Sequence, residues 1–268
     1  MLSLDEYIKL PFVKPNFTYA YGAADKQVGG LYLPTPADEP LPVVVVIHGG
    51  CWRAAYGAEM VSQLSRALAD EGYAVWNMEY RTSGSGGGWP QTYLDVAHGL
   101  DHLRHLAESH PLDLSRVVLV GHSAGGTLAC WAAARNRLPA SSDLYTPDPL
   151  PITHVVCLAG IVDLLHAEQL GACDDDLPST LGGTSAQVPE HYAHASPKEL
   201  LPLGIPQTHI VGEGEEKLLP HVQTYVEAAR AAGDTVDLQT IPDCGHYEVV
   251  IPDTVAWPAV RAAVREAV

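Results

Sequence analysis

The chain has 268 residues, of which 47% are hydrophobic, and its 32 acidic and 15 basic residues give a formal net charge of -17 at pH 7. This length and apolar fraction predict one folded domain with a sizeable core and exclude a chain that is mostly disordered. The acidic balance repels phosphate backbones and anionic lipids, so we expect neither a nucleic acid nor a membrane as partner.

The N-terminal stretch "MLSLDEYIKLPF" contains two early acidic residues and lacks the long apolar region of a secretory signal. The longest aliphatic run, "LPVVVVI", is too short to cross a bilayer. The five cysteines contain no CxxC pair and indicate neither a disulfide framework nor a zinc site. We therefore expect a cytoplasmic protein in which Cys51, Cys130 and Cys157 are buried free thiols.

From "QVGGLYLP" onward, short β-branched runs alternate with longer helical patterns. This order predicts a parallel sheet covered by helices on both faces. The apolar runs predict strands at residues 42–48, 73–80, 116–121, 153–160, 207–212 and 235–241. Apolar residues at helical spacing predict helices at residues 58–72, 90–109, 124–136 and 221–234.

Residues 163–200 interrupt this alternation with a long stretch that is rich in turn residues. Loops of that length in compact domains are commonly functional covers, and we predict a cover or lid-like insertion here. A pair of short helices with only a packing role is the alternative. The "CDDD" within it does not indicate a metal site, because three adjacent aspartates point in different directions.

The pentapeptide Gly121 to Gly125 matches G-x-S-x-G and lies between the apolar run "RVVLV" and the helical pattern "TLACWAAA". In a sharp strand-to-helix turn of this kind, the serine hydroxyl stands at the carboxyl end of the sheet. We therefore predict that Ser123 is a nucleophile and not merely a helix N-cap. A serine needs a general base, an orienting acid and donors for an oxyanion, and the rest of the sequence must supply them.

The motif "HGGCW" (48–52) follows the most apolar strand and is the candidate for the oxyanion donors. Two successive glycines allow the backbone to turn its N–H groups toward one point. We predict donors at Gly49 and Gly50, together with Ala124 after the nucleophile. Cys51 is an alternative donor because the sequence leaves the register open.

Among thirteen histidines, His246 in "PDCGHYEV" is the predicted base, because it follows the last predicted strand in a turn-forming context. His48 and His122 lie inside the other motifs and are expected to be structural.

The acid should lie between the serine and the histidine, in the loop after a strand. That loop, "VGEGEEKLLP", contains three glutamates and no aspartate. Glu215 is the preferred acid, Glu216 the second choice and Glu213 the third.

Together these motifs resemble the α/β-hydrolase superfamily, and more narrowly the small esterases and kynurenine formamidase-like arylformamidases related to hormone-sensitive lipase. The resemblance covers nearly the whole chain through "HGGCW", "MEYR", "GHSAGG", "YVEAARAAGD" and "GHYEV". It implies a mostly parallel, twisted sheet of about eight strands with helices on both faces and a short cover. It also implies Ser123 as nucleophile, His246 as base and Gly49, Gly50 and Ala124 as oxyanion hole, with no cofactor.

The sequence departs from these relatives at two positions. Their acid is usually aspartate, whereas the preferred residue here is Glu215, and Cys51 stands where glycine or an aromatic residue is often found. Tyr80 and Arg81 in "MEYR" match a family segment, for which we favour a strand end anchored by an ion pair over a substrate contact.

We expect a carboxylesterase that cleaves a small-molecule ester through an acyl-enzyme. Trp52, Trp89 and Tyr192 are expected to contact a partly aromatic substrate. One alternative is an arylformamidase acting on N-formylkynurenine-type formamides, for which Arg53 or Arg81 could bind the amino-acid end. The other is a ligand-binding protein that keeps the pocket without catalysis. Nothing in the sequence indicates an oligomeric state or a metal site.

Overall fold

The centre of the protein is an eight-stranded sheet in the order β1-β2-β4-β3-β5-β6-β7-β8. A computed structural model describes residues 1–35, 37 and 39–268. The strands are β1 Phe17–Ala20, β2 Val28–Tyr32, β3 Leu41–Ile47, β4 Ala74–Met78, β5 Leu112–His122, β6 His154–Leu158, β7 Gln207–Gly212 and β8 Val236–Ile241.

The six neighbouring strands β4, β3, β5, β6, β7 and β8 pair in parallel, whereas β2 runs antiparallel to both of its neighbours, β1 and β4. The six predicted strands are confirmed with shifted ends. β1 and β2 were not located from the sequence, because Gly29 and Gly30 interrupt the β-branched pattern of β2. Gly29 is needed there, since a Cβ would lie 2.4 Å from the ring of Trp76.

The helices are α1 Leu4–Tyr7, α2 Ser62–Asp70, α3 Gln91–Asp101, α4 Leu103–Leu106, α5 Ala124–Ala134, α6 Leu164–Gln169, α7 Asp176–Leu181, α8 Pro189–Ala195, α9 Leu218–Ala231 and α10 Trp257–Ala267. The helix predicted at 58–72 is a 3-10 turn, Ala58–Val61, followed by α2. The helix predicted at 90–109 is divided into α3 and α4. None of the helices in the described residues has the length and apolarity needed to cross a membrane.

Two apolar layers cover the two faces of the sheet, as alternation along β3 requires. Val43 and Val45 pack in one layer with α3, α5 and α9. Val44 and Val46 pack in the other layer with α2 and α10. Burial on both faces accounts for the unbroken run of valines in the sequence. The architecture is the α/β-hydrolase fold that the motifs imply, with the carboxyl ends of β3, β5 and β7 meeting at one edge.

Residues 163–200, the cover segment, form the short helices α6, α7 and α8 and a 3-10 turn, Pro197–Leu200. The segment packs on the core through Leu177, Leu181 and Tyr192. Trp131 in α5 also donates a hydrogen bond from Nε1 to the carbonyl oxygen of His194, at 3.1 Å. The segment is thus helical and firmly packed, and its relation to the site depends on the contacts described below.

Candidate active site

Ser123 occupies a sharp turn between β5 and α5, with φ 53° and ψ -120°. A left-handed φ is strained for a residue other than glycine and persists only where the surroundings enforce it. The close approach of the chain supplies that constraint: a Cβ on Gly121 would lie 2.2 Å from the carbonyl oxygen of Gly125. A Cβ on Gly125 would lie 2.2 Å from the carbonyl oxygen of Ile47 in β3. The two glycines of G-x-S-x-G are therefore required sterically.

The glycine loop, residues 48–53, follows β3 and lies beside this turn. Gly50, Cys51 and Trp52 have positive φ angles of 110°, 51° and 55°, so the backbone turns continuously in the left-handed region. Gly49 packs beneath the nucleophile, where a Cβ would be 2.9 Å from the Cβ of Ser123. Gly50 and Cys51, by contrast, line the cavity that contains Ser123.

His246 reaches the same cavity from the loop after β8, and its partner is Glu215. His246 Nδ1 lies 3.2 Å from Glu215 Oε2, and the two side chains are 24% and 21% exposed. Glu213 and Glu216 are exposed, so the structure brings only the preferred glutamate of the three to the imidazole. Ser123 Oγ and the imidazole make no hydrogen bond of 3.5 Å or less in the described residues. Such bonds often tighten only when substrate is bound.

His122 supports the loop that contains His246. Its Nε2 donates to the carbonyl oxygen of His246 at 2.9 Å, and the ring is buried. Burial, reinforced by the nearby imidazole of His246, lowers the pKa of His122 to about 3. The ring is therefore neutral near pH 7 and acts as a fixed donor, which agrees with the structural role expected for it.

His48 is held at the start of the glycine loop by two neighbours. Glu79 Oε1 is 3.0 Å from His48 Nε2, and Tyr80 donates its hydroxyl to the carbonyl oxygen of His48 at 2.8 Å. Burial opposes ionisation of Glu79, but the adjacent His48 and hydrogen bonds, with Lys26 Nζ at 3.3 Å, outweigh it and lower the pKa to about 2. An ionised, fully bonded carboxylate thus anchors the strand end beside the site.

Arg81, the next residue of "MEYR", forms a bidentate ion pair with Asp95, at 2.8 Å from Nε and 2.7 Å from Nη2. This contact agrees with the expectation that "MEYR" is a strand end anchored by an ion pair.

The cavity around Ser123 and His246 has a volume of about 120 Å³ and mostly apolar walls. Four of its lining side chains were not identified from the sequence: Leu4, Tyr56, Met60 and Tyr247. Tyr247 follows His246 directly, so its place in the sequence was a usable signal. Leu4 comes from α1, which is held over the site by the stacking of Tyr7 on Tyr247 at 4.9 Å. No local pattern identifies such a long-range contact.

The three aromatic residues expected to contact substrate lie elsewhere. Trp52 and Tyr192 are each 1% exposed within the core, and the Tyr192 hydroxyl donates to Glu168 at 3.0 Å. Trp89 stacks on His191 with ring centres 4.1 Å apart. None of the three side chains lines the cavity of Ser123, so the function proposed below assigns them no contact with substrate.

The prediction that Cys51 is a free thiol is wrong. Cys51 forms a disulfide with Cys173 of the cover segment, whereas Cys130 and Cys157 are buried free thiols as predicted. The two partners are 122 positions apart and meet only because the fold brings the cover segment to the glycine loop. The expected absence of disulfides was one reason to expect a cytoplasmic location, and this disulfide removes that reason.

The aspartates of "CDDD" contact a basic side chain of the glycine loop. Arg53 Nε donates to Asp176, and Arg53 Nη2 lies 3.7 Å from Asp174. In the described part of the chain, no group of three or more histidine, cysteine, aspartate or glutamate residues could hold a metal ion.

Comparisons with known proteins agree with this architecture. Esterase LipC of Mycobacterium tuberculosis is 25% identical over an alignment of 219 residues that covers 78% of this chain and 53% of LipC. Isoprenylcysteine alpha-carbonyl methylesterase ICME of Arabidopsis thaliana is 31% identical over 117 residues, 42% of this chain and 26% of that protein. The chain thus spans about half the length of LipC and about a quarter of ICME.

Solved structures give the same fold. A truncated carbohydrate esterase from gut microbiota superposes with a TM-score of 0.80 at 19% identity, covering 95% of this chain and 97% of the other. Esterase B from Lactobacillus rhamnosis, inhibited by a tributyrin phosphonate, superposes with a TM-score of 0.78 at 24% identity, covering 95% and 85%. The family model BD-FAE matches residues 30–228, which is most of the chain. The chain therefore belongs to the BD-FAE family, within the α/β-hydrolase superfamily.

Proposed function

We propose that the protein is a serine carboxylesterase that cleaves small carboxylic esters through an acyl-enzyme. The observation that carries the proposal is the shared cavity of Ser123 and His246, with Glu215 3.2 Å behind the imidazole. These side chains follow the order serine, acid, histidine along the chain, as the fold requires. The esterase names of the relatives LipC and Esterase B support the same reaction class.

In the proposed mechanism, His246 accepts the proton of Ser123 as the hydroxyl attacks the ester carbonyl. Glu215 keeps the imidazole in the correct tautomer and stabilises its protonated form. The alcohol leaves with a proton from His246, and the same residue then activates the water that releases the acid.

Backbone N–H groups of Gly50 and Ala124 are the proposed donors to the oxyanion. The third donor is Gly49 or Cys51. The cavity wall favours Cys51, because Gly50 and Cys51 line it and Gly49 packs below Ser123.

The size of the cavity favours a short acyl group. Its volume of about 120 Å³ is well below the ~300 Å³ or more of a typical drug-sized ligand site. Leu4, Tyr56, Met60 and Tyr247 supply apolar walls that suit an alkyl chain. The tributyrin phosphonate that inhibits Esterase B supports short acyl esters as the substrate class.

The alternatives find less support. An arylformamidase for N-formylkynurenine needs a cation for the amino-acid end, but Arg53 is paired with Asp176 and Arg81 with Asp95. A ligand-binding protein without catalysis would not need the strained Ser123 and the paired His246. Both alternatives are outcomes of the experiment below.

The test is turnover of p-nitrophenyl acetate and butyrate and of N-formylkynurenine, with labelling by a fluorophosphonate. We expect ester turnover and labelling in the wild-type protein, and loss of both in Ser123→Ala. Ser109→Ala is the matched control and should behave as wild type, because Ser109 is exposed and precedes the first residue of β5, whereas Ser123 follows the last. Ester turnover that survives in Ser123→Ala would contradict the mechanism, and faster turnover of the formamide would favour the arylformamidase.

A further inference from the structure

Two side chains of the glycine loop are fastened to one short stretch of the cover segment. Cys51 is joined covalently to Cys173, with their Cα atoms 5.4 Å apart. Two residues further along, Arg53 donates from Nε to Asp176 and also lies 3.7 Å from Asp174. One covalent and one ionic link therefore connect the same two pieces of chain.

A third loop joins this arrangement at the carboxyl edge of the sheet. Arg53 and Ser83 form an isolated parallel β-bridge, and Ser83 Oγ is 2.9 Å from Thr180 Oγ1 in α7. The cover segment thus contacts both the glycine loop and the loop that follows β4. Through these contacts the cover segment acts as a brace: it links the glycine loop to the loop after β4 at the carboxyl edge of the sheet, where Ser123 lies.

The glycine loop needs such a brace because of its backbone conformation. Cys51 and Trp52 have left-handed φ angles, which cost of order 1–3 kcal/mol per non-glycine residue and persist only where surrounding contacts enforce them. The proposed oxyanion donors, the N–H groups of Gly50 and Cys51, belong to this stretch, so their directions depend on that backbone conformation. A tether on the Cys51 side chain acts directly on one of these residues.

We propose that Cys173 and Asp176 of the cover segment are positioning residues for the oxyanion hole, and that reduction of the Cys51–Cys173 disulfide lowers the catalytic rate. The proposal rests on the proposed esterase function. In the reduction, a dithiol supplies two electrons and two protons, the S–S bond breaks, and Cys51 and Cys173 each become a thiol. The dithiol is oxidised to its own disulfide, so the step is balanced and reversible.

Exposure separates this disulfide from the other cysteines. Cys51 and Cys173 are both half-buried, whereas Cys130, Cys157 and Cys244 are buried. A reductant in solution therefore reaches the tether without unfolding the core. Alkylation after reduction should label the two tether cysteines first.

The experiment measures kcat and KM for p-nitrophenyl acetate before and after dithiothreitol, with iodoacetamide trapping and mass spectrometry to locate the thiols. We expect kcat to fall by about tenfold, less than the ~100- to 1,000-fold cost of deleting an oxyanion donor outright, with KM within about twofold. Removal of the reductant and reoxidation should restore kcat. Near-ultraviolet circular dichroism, recorded on the same samples, should stay that of the folded protein.

Variants distinguish loss of the Cys51–Cys173 disulfide from other effects of the dithiol on the enzyme. Cys173→Ser should show the reduced kcat without added dithiol and should not respond to dithiol. Asp176→Asn should lower kcat by a smaller factor. Asp175→Asn is the matched control, because Asp175 is exposed and its side chain makes no hydrogen bond or ion pair in the described residues, and it should behave as wild type.

Three results would overturn the proposal: an unchanged kcat after complete reduction, a loss of kcat that parallels loss of the folded signal, or alkylation of Cys51 in the purified enzyme without reductant. Failure of the proposed function would appear differently, as turnover that survives in Ser123→Ala whatever the state of the disulfide.

Discussion

Replacing Glu215 with glutamine tests the least expected member of the site, since an aspartate is the usual residue. The change keeps the shape of the side chain and removes its charge 3.2 Å from His246 Nδ1. Coulomb's law gives ~5 kcal/mol for two unit charges at this distance with an effective dielectric constant of ~20, and ~1 kcal/mol in bulk water. Because the partners are 24% and 21% exposed, an intermediate value of about 3 kcal/mol is expected for the imidazolium.

That energy corresponds to a decrease in kcat/KM of about two orders of magnitude. Loss of the correct imidazole tautomer adds to it, so the expected range for Glu215→Gln is ~100- to 10,000-fold. The assay is hydrolysis of p-nitrophenyl acetate under kcat/KM conditions. Glu215→Asp should retain more activity than Glu215→Gln, because it keeps the charge on a shorter side chain.

Glu213→Gln and Glu216→Gln are the matched controls, since both side chains are exposed and neither makes a hydrogen bond or ion pair with His246 in the described residues. They should stay within about threefold of wild type. A Glu215→Gln variant that does the same would refute the assignment of the acid. A large loss in Glu216→Gln would transfer the role to the second choice made from the sequence.

Two further predictions concern specificity and acid stability. Met60 lines both the Ser123 cavity and a second cavity of about 170 Å³, so Met60→Ala should join the two cavities. The variant should shift the preference from acetyl and butyryl esters toward hexanoyl and octanoyl esters by roughly tenfold in relative kcat/KM. Val255→Ala, at an exposed site, is the control, and an unchanged chain-length profile in Met60→Ala would contradict the prediction. Burial lowers the pKa of His122 to about 3 and that of His221 to about 4, from the ordinary value of 6.5. At a pH between the lowered values and 6.5, the unfolded chain therefore binds more protons than the folded protein. The contribution of these two histidines to the free energy of unfolding should therefore be nearly constant above about pH 7.5 and decrease as the pH falls below that value, by about 4 kcal/mol at pH 5 relative to pH 8. Urea unfolding at pH 5 and pH 8 measures this decrease in stability. His221→Gln should remove about half of the decrease, and His105→Gln, at an exposed site, should remove none of it. Equal stability of the wild-type protein at both pH values would contradict the argument.

The sequence predicts those features that short-range patterns determine. Burial on both faces produces the continuous apolar run of β3, and the tight turn at Ser123 requires the glycines on either side of it, so both were identified. β2 was missed because its glycines are required by contacts with distant residues: Gly29 packs on Trp76 of β4 and Gly30 on Pro15.

Features that depend on distant contacts were missed or wrong. Leu4 lines the cavity because distant contacts hold α1 there, among them the stacking of Tyr7 on Tyr247 and the hydrogen bond from the Tyr7 hydroxyl to the carbonyl oxygen of Met60. Cys51 pairs with Cys173 across 122 positions, and the sequence around each cysteine contains no pattern that predicts the disulfide. The choice among the three glutamates likewise depended on where the loop after β7 turns, which the sequence leaves open.

The small size of the Ser123 cavity also bears on the second half of the reaction. Once an acyl group occupies a space of about 120 Å³ between Leu4, Met60 and Tyr247, little room is left beside the acyl carbonyl for an organic molecule larger than the alcohol that has just departed. An attacking alcohol must take the position from which the leaving alcohol departed, whereas water fits there without touching the walls. The proposed acyl-enzyme should therefore partition to the free acid in the presence of bulky alcohols and transfer its acyl group only to alcohols no larger than the one released.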